Sequence, residues 1–339
     1  MLDVRRLKLL RELALRGTIV AVAEALSFSP SAVSQQLAVL EREAGVPLLE
    51  RTGRRVRLTP AGENLARHAE VILQRLEQAS GELVDARRGL AGPLRIGTFP
   101  TAARAILPPA LIALSREHPG LEPMVSEIDP ADVADDLRAG TLDLALIHDY
   151  DFVPRPTEPG LTTLPLCSEA VYLASSDIES DSHDAVASLT DCVERPWITA
   201  IPGTACHAMT IRACQAAGFT PKVRHHIDEF ATVLALVAAG QGVSLVPELG
   251  AIHPPLGVRL TPMPIRRRTK IAHRAGSDAH PAVATVTSAS LGRPANAGRR
   301  AIAAPTCRAR GRALSPSASR HLQRGSRRRF GRTLRQRRW

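Results

Sequence analysis

From Pro60 the chain runs to Arg88 without a second proline, and in that stretch Leu65, Ala69, Ile72, Leu76, Ala79 and Leu83 stand 4, 3, 4, 3 and 4 residues apart. The spacing is a heptad seam, and at 1.5 Å per residue the helix it predicts is ~43 Å long. A small domain cannot cover an apolar stripe of that length, so the seam needs a partner. A self-complementary seam favours a twofold dimer. Thr59 supplies the helix cap, and Pro60 occupies the first turn, where its missing N–H leaves no bond unmade.

A helix of this kind joins folded parts. The 339 residues, at roughly 100–200 per domain, predict two or three of them. In front of it, Leu7, Leu10 and Leu13 recur at helical spacing over 3–16, and Gly17 stands where a helix needs a left-handed stop. Thr18 caps a second short helix with Val22, Ala23 and Leu26 inward, and Ser27-Phe28 breaks it. Ser29 caps a third, with Pro30 in its first turn. At 100° per residue Val33, Leu37, Leu40 and Ala44 share one side of this third helix, while Ser31, Gln35, Ala38 and Arg42 share the other and Ser34 lies at the edge.

That outward face is small and polar. Short side chains let a helix enter the major groove closely, where Gln can read adenine bidentately and Ser can reach base edges or phosphate. Next come two strand-like runs, 48–51 and 56–58, around Thr52-Gly53-Arg54-Arg55. They read as a hairpin wing whose Arg51, Arg54, Arg55 and Arg57 suit phosphates or a narrow minor groove. An ordinary amphipathic surface helix beside a solvated charged hairpin is the competing reading.

Residues 2–90 resemble the winged helix-turn-helix of LysR-type transcriptional regulators. The resemblance is carried by Ala23, Leu26, the Ser29-Pro30-Ser31-Ala32-Val33-Ser34 segment, Leu40-Glu41, Gly45, Leu48, Arg51 and Leu58-Thr59-Pro60-Ala61-Gly62. The family usually has Gln where Pro30 stands and Pro where Ser31 stands, and often Phe at Leu49. The change at the helix N-terminus means that no operator preference transfers. The resemblance implies a linker helix at 60–89, DNA contacts from Ser29, Ser31, Ser34, Gln35, Arg42 and the wing arginines, and often a tetramer.

Beyond Gly92-Pro93, short apolar runs alternate with helical stretches, an α/β pattern. Strands are predicted at 94–98, 121–128, 142–147, 171–174, 197–200, 222–227 and 243–246, and helices near 102–117, 131–139, 204–217 and 230–239. The order resembles the family's effector domain, which has the periplasmic-binding-protein architecture. That implies two lobes, a first crossover near Pro165, a second lobe to about Pro262, and a return through 270–273 and a helix near 281–289. Ligand contacts belong at strand C-terminal ends and helix N-termini, where N–H groups suit a carboxylate. Thr101, His148, Gly203, Thr204 and Phe230 sit there, each threonine serving equally well as a plain cap. A protonated His148 would meet an acidic ligand, although a lone histidine after a strand is more often a packing residue.

The pairs Cys206-His207 and His225-His226 lack a metal-ligand spacing, so no metal or cofactor is expected beyond a small-molecule effector. Cys206 near a helix start invites a lowered thiol pKa, with a buried inert thiol as the ordinary alternative. Five cysteines without a C-x-x-C pair, and no secretory or membrane-spanning apolar run, point to reducing cytoplasm. No G-x-S-x-G, Walker A or H-E-x-x-H motif supports catalysis.

The chain carries 44 basic against 33 acidic residues, but residues 290–339 hold 15 arginines and no acid, so residues 1–289 have 29 against 33. The whole excess is one tail. Its Arg-, Ala-, Ser- and Gly-rich composition predicts disorder, and a DNA-binding arm, a membrane-visiting segment and an out-of-frame extension compete to explain it. The abrupt loss of helical pattern at Val286-Thr287-Ser288 favours the last.

The sequence thus predicts an α+β protein: a winged helix-turn-helix (1–59), a linker helix (60–89), a two-lobed α/β effector domain of periplasmic-binding-protein type (90–289) and a disordered tail. Its expected role is a cytoplasmic, homo-oligomeric regulator of promoter DNA. RNA polymerase is a further candidate partner, and the membrane is not one. A basic architectural DNA-binding protein without ligand and an enzyme with a DNA-binding appendage are the alternatives.

Overall fold

The computed structural model describes residues 1–52, 55–86, 91–177 and 188–277, together with Val283 and Val286. Arg54, the tail at 290–339 and most of the helix expected at 281–289 lie outside the described residues, as do the side chains of Arg51 and Arg55.

Local chemistry accounts for the front module. Asp3 accepts from the N–H groups of Arg5 and Arg6 to start α1 (Val4–Arg16), and Gly17 ends it at φ 72°, a left-handed conformation that glycine adopts without strain. Thr18 and Ser29 accept from the N–H groups of Ala21 and Ala32, capping α2 (Ile19–Ala25) and α3 (Pro30–Ala44). Ser27, at φ 56°, makes the tight break between them. Leu10, Val22, Leu37 and Leu40 close the core under these helices. β1 (Leu49–Thr52) and β2 (Arg55–Leu58) pair antiparallel with Arg51 opposite Val56, so the wing's strands reach one residue further into the expected turn on each side.

α4 (Pro60–Ala86) follows, 27 residues long, with the Thr59 hydroxyl accepting from the Gly62 N–H. The heptad seam divides in two. Ala69 is buried in the winged core and Leu65 packs against it, while Ile72, Leu76 and Leu83 are 39%, 45% and 68% exposed.

The body is built on one mixed sheet. β3 (Ala91–Thr98) is parallel to β4 (Gly120–Glu127) on one side and to β5 (Leu144–Tyr150) on the other. Where one helix was expected over 102–117 there are two, α5 (Pro100–Ala105) and α6 (Leu107–Glu117), because Pro108 and Pro109 lack the N–H that an unbroken helix needs. α7 (Val133–Ala139) precedes β5 and completes lobe one with Val283 and Val286, both buried in its core.

Two strands cross between the lobes, and both are far longer than the sequence suggested: β6 (Leu161–Ser176) and, at the end of the described body, its antiparallel partner Val258–Arg274. Between them in the chain lie β7 (Pro196–Thr199), α8 (Ala205–Ala216), β8 (Lys222–His226), α9 (Phe230–Ala238) and β9 (Ser244–Pro247), which with the upper part of β6 form lobe two around Trp197 and Leu245. Val258–Arg274 is β10, and the large sheet runs β4-β3-β5-β10-β6-β9. Prolines hid the long strands from sequence reading. Pro264 lies in the register shift between Met263 and Arg266, and Pro165 faces the one between Thr269 and Lys270. A bulge needs no ladder donor at that point, so proline is tolerated in mid-sheet.

Lobe one also touches the front module. Asp135 of α7 receives two hydrogen bonds from Arg16 at the end of α1, 2.6 and 3.0 Å long. Arg274 at the end of β10 pairs with Glu77 of α4 at 2.8 Å. Gly276, at φ 95°, lies so close to α4 that a Cβ there would sit 2.3 Å from the Gln74 carbonyl oxygen.

Candidate functional sites: an exposed helix face and a buried row between the lobes

The third helix presents the face that its sequence predicted. Ser31, Ser34, Gln35 and Arg42 are exposed, and no hydrogen bond or ion pair engages the side chains of Ser34, Gln35 or Arg42 among the described residues. Ser29 is exposed too, but its hydroxyl is shared between the Ala32 N–H and Ser31, 3.0 Å away. Neighbouring Gln36 is also exposed but is engaged, accepting from Arg6 at 2.9 Å. Glu41 accepts from the N–H groups of both Leu48 and Leu49 at 2.9 Å, which fixes the wing against α3. Arg57 on β2 is exposed. Small polar groups and a cation on α3, and a cation on β2, are therefore open to solvent.

A buried charge cluster lies along α1. Glu12 is fully buried and accepts from Arg11 at 2.5 Å and Arg16 at 2.9 Å. Because Arg16 also holds Asp135, the ion network under α1 continues into lobe one.

The second site comes from strand register. β10 lies between β5 and β6, placing Tyr150, Arg267 and Glu169 in one row across three strands and His148, Thr269 and Cys167 in the next. Side chains two residues apart share a face, so all six face the same way. Arg267, only 1% exposed, donates to Glu169 at 2.7 Å and to the Thr101 hydroxyl at 2.9 Å, with its guanidinium 5.1 Å from the centre of the Phe99 ring. Glu169 also accepts from the Leu249 N–H of lobe two at 2.7 Å. Lobe one contributes Phe99 and Thr101, the crossover strands the ion pair, and lobe two the Leu249 backbone.

His148 Nδ1 is buried without a hydrogen-bond partner, while the buried Tyr150 hydroxyl has only Cys206 and the ion-paired Arg267 beside it, and Thr269 Oγ1 only the Cys167 thiol. The His148 ring packs edge-on against Phe99 and Tyr150 at 4.5 and 5.4 Å. Burial, with Arg267 and Arg155 nearby, holds its pKa well below 6.5, so the imidazole is neutral at physiological pH and is not the cation that an acidic ligand would require. Burial also pushes the Tyr150 phenol and the Cys206 thiol up. Cys206 therefore stays a thiol despite its place at the start of α8.

The other expected contacts distribute differently. Thr204 is engaged as the α8 cap, accepting from the His207 N–H at 3.2 Å and donating to the Ile201 carbonyl at 2.8 Å. Gly203 beside it is exposed at φ 97°. The Phe230 ring turns into lobe two, where it lies over Gly250, and Glu229 caps α9 instead. Glu229 meets Arg104 of lobe one at 3.8 Å across a cleft of about 570 Å³ lined also by Pro100, Ala103, Glu127 and Asp228. Among the described residues no group of three metal-ligating side chains occurs.

The structure brings the expected Thr101 and His148 together with Arg267, Glu169, Tyr150 and Thr269, which sequence reading did not single out. A signal existed. In Arg266-Arg267-Arg268 the middle residue has the same parity as Met263, Ile265, Thr269 and Ile271, all of which are buried.

Comparison with known proteins gives two family matches. Residues 4–63 match the bacterial regulatory helix-turn-helix protein of the lysR family, and residues 87–292 match the LysR substrate binding domain. The nitrogen assimilation regulatory protein of Klebsiella aerogenes is 33% identical over 254 residues, 74% of this chain and 80% of that protein. The transcriptional dual regulator GltC of Bacillus subtilis is 29% identical, over 73% of this chain and 81% of its own. Among solved structures, a full-length OxyR variant from Pseudomonas aeruginosa matches with a TM-score of 0.55 at 25% identity, covering 86% of this chain and 95% of that one. An OxyR mutant of Corynebacterium glutamicum matches at 0.52 and 27%, covering 86% and 91%.

Proposed function

Since the chain belongs to the LysR family of bacterial transcriptional regulators, we propose that its α3 face reads promoter DNA while a small molecule held between the lobes sets how the DNA-binding modules are presented. Ser31, Ser34, Gln35 and Arg42 would meet base edges and phosphates, with Arg57 and the neighbouring wing arginines on the backbone. The exposed half of the α4 seam, Ile72, Leu76 and Leu83, would pair with a second copy, presenting two α3 helices to half-sites related by a twofold axis. Such a regulator works where the DNA is, the bacterial cytoplasm, and shares its promoter with RNA polymerase. No described helix is long and apolar enough to cross a membrane.

The observation that carries the effector reading is the set of three buried polar groups beside Arg267, of which His148 Nδ1 has no partner and the Tyr150 and Thr269 hydroxyls meet only thiols or the ion-paired Arg267. Each buried, unsatisfied group costs about 1–3 kcal/mol, which a ligand that completes its hydrogen bonds recovers. Arg267 is balanced by Glu169 and His148 is neutral, so recognition rests on hydrogen bonds to His148 Nδ1, the Tyr150 and Thr269 hydroxyls and Thr101 rather than on net charge. The effector of this reading is a small polar molecule, and its coupling to DNA requires unequal affinity for the two arrangements of the lobes.

The test pairs promoter footprinting with thermal unfolding of the full chain across a metabolite panel. A molecule that changes the footprint and raises Tm in the wild type should raise it much less in Thr269→Val. An equal rise in that variant, or a panel without any responder, would remove the buried row from the effector site.

A further inference from the structure

The opposite face of the β10 register carries a second feature. Lys270 pairs with Ile147, and Lys270, Arg268, Ile147 and Asp149 point away from the inter-lobe rows. There, between the sheet, the start of α7 and the loop before β6, lies a pocket of about 130 Å³. Its floor is apolar, from Val133, Ile147, Leu161 and Ala272, and Arg155 and Lys270 stand at its polar side. The two cations are not equivalent. Lys270 is neutralised by Asp149 at 2.5 Å. Arg155 is half-buried, donates to the Pro130 carbonyl, and has no carboxylate within ion-pair distance among the described residues. The one acid in the lining, Glu158, is taken by Arg138 at 2.8 Å. Pro154, Pro156 and Pro159 stiffen the loop that carries Arg155, so the cation is held in place before anything binds. Glu158, Asp129 and Asp149 act on Arg155 only from beyond ion-pair distance. A half-buried guanidinium with no direct ion pair, beside an apolar hollow, matches a ligand with one negative head and a short hydrocarbon body.

We propose that this lobe-one pocket is a second ligand site, separate from the inter-lobe row, which takes a small monocarboxylate with its head on Arg155 and its hydrocarbon part on Ile147 and Leu161. The volume approaches that of cavities of ~150 Å³ that hold one benzene-sized body, which limits the ligand to about four to seven carbons. Sodium butyrate serves as the probe and uncharged butyramide as its isostere, titrated calorimetrically into the full chain at constant ionic strength. Butyrate should bind once per chain with a low-millimolar Kd, butyramide at least tenfold more weakly, and Arg155→Gln should weaken butyrate by a similar factor while Thr269→Val leaves it unchanged. Equal binding of butyrate and butyramide would overturn the proposal without any variant being needed. So would unchanged binding in a folded Arg155→Gln, or a loss confined to Thr269→Val, which would place the probe in the inter-lobe row instead.

Discussion

The α3 face and the inter-lobe row present their polar groups in opposite states. On α3 the side chains of Ser34, Gln35 and Arg42 are exposed and make no bonds within the protein. Between the lobes Arg267 is already bound to both Glu169 and Thr101, and His148 Nδ1 is left buried without a partner. The contrast follows from solvent. Water satisfies an exposed donor, so leaving Gln35 free carries little penalty. A buried guanidinium has no such substitute and must bring its own counter-ion. One region is therefore an open surface whose polar groups are held by water, the other a preformed network whose polar groups are held by one another.

The sharpest way to break this contrast is Glu169→Gln, which leaves Arg267 buried without its anion. Urea unfolding should show a loss of about 3–5 kcal/mol. A loss under ~1 kcal/mol would mean that Arg267 finds water or another acceptor and that the row is as open as α3. Gln35→Ala should do the reverse, leaving unfolding within about 0.5 kcal/mol of wild type while operator binding loses ~1–3 kcal/mol relative to random DNA. Equal weakening on both DNAs in a competition assay would remove Gln35 from base reading. Arg57→Ala should weaken both DNAs alike and reduce the slope of log K against log salt by about 1; a selective loss on the operator would move the wing from backbone to base contact.

The smallest effect is expected where the two regions meet. Arg16 holds the Asp135 carboxyl below its ordinary 3.8, so the contact is fully present above that value and is lost as pH falls through the lower folded one. Asp135 is half exposed, and solvent screening limits the contribution to ~0.5 kcal/mol. Asp135→Asn should change unfolding by no more than that, yet increase hydrogen exchange at the end of α1 and in α7. Unchanged exchange in both elements would show that the contact does not hold the front module to lobe one.

The front module was legible because its signals are local. A cap acts on residues two or three away, Pro30 on its own turn, and Gly17 on the end of its own helix, so order in the chain is enough to place α1, α2 and α3. The crossover strands were read short because Pro165 and Pro264 argue against a strand unless a bulge accommodates them, and a bulge is a property of the pairing. The place of the Phe230 ring against Gly250 was not legible either, because it depends on a residue 20 positions further along the chain.

Sequence alone determined the helices of the front module, the length of α4 and the α/β alternation of the body, since each rests on periodicity or capping within a few residues; the two lobes were implied by the family resemblance. Only the tertiary structure decided that Tyr150, Glu169 and Arg267 form one row, because register brings together residues 98 and 117 positions apart or more distant still, such as Thr101 at 166 from Arg267. It also decided which half of the α4 seam is covered. Burial depends on what packs against a stripe, and a stripe carries no record of its neighbour.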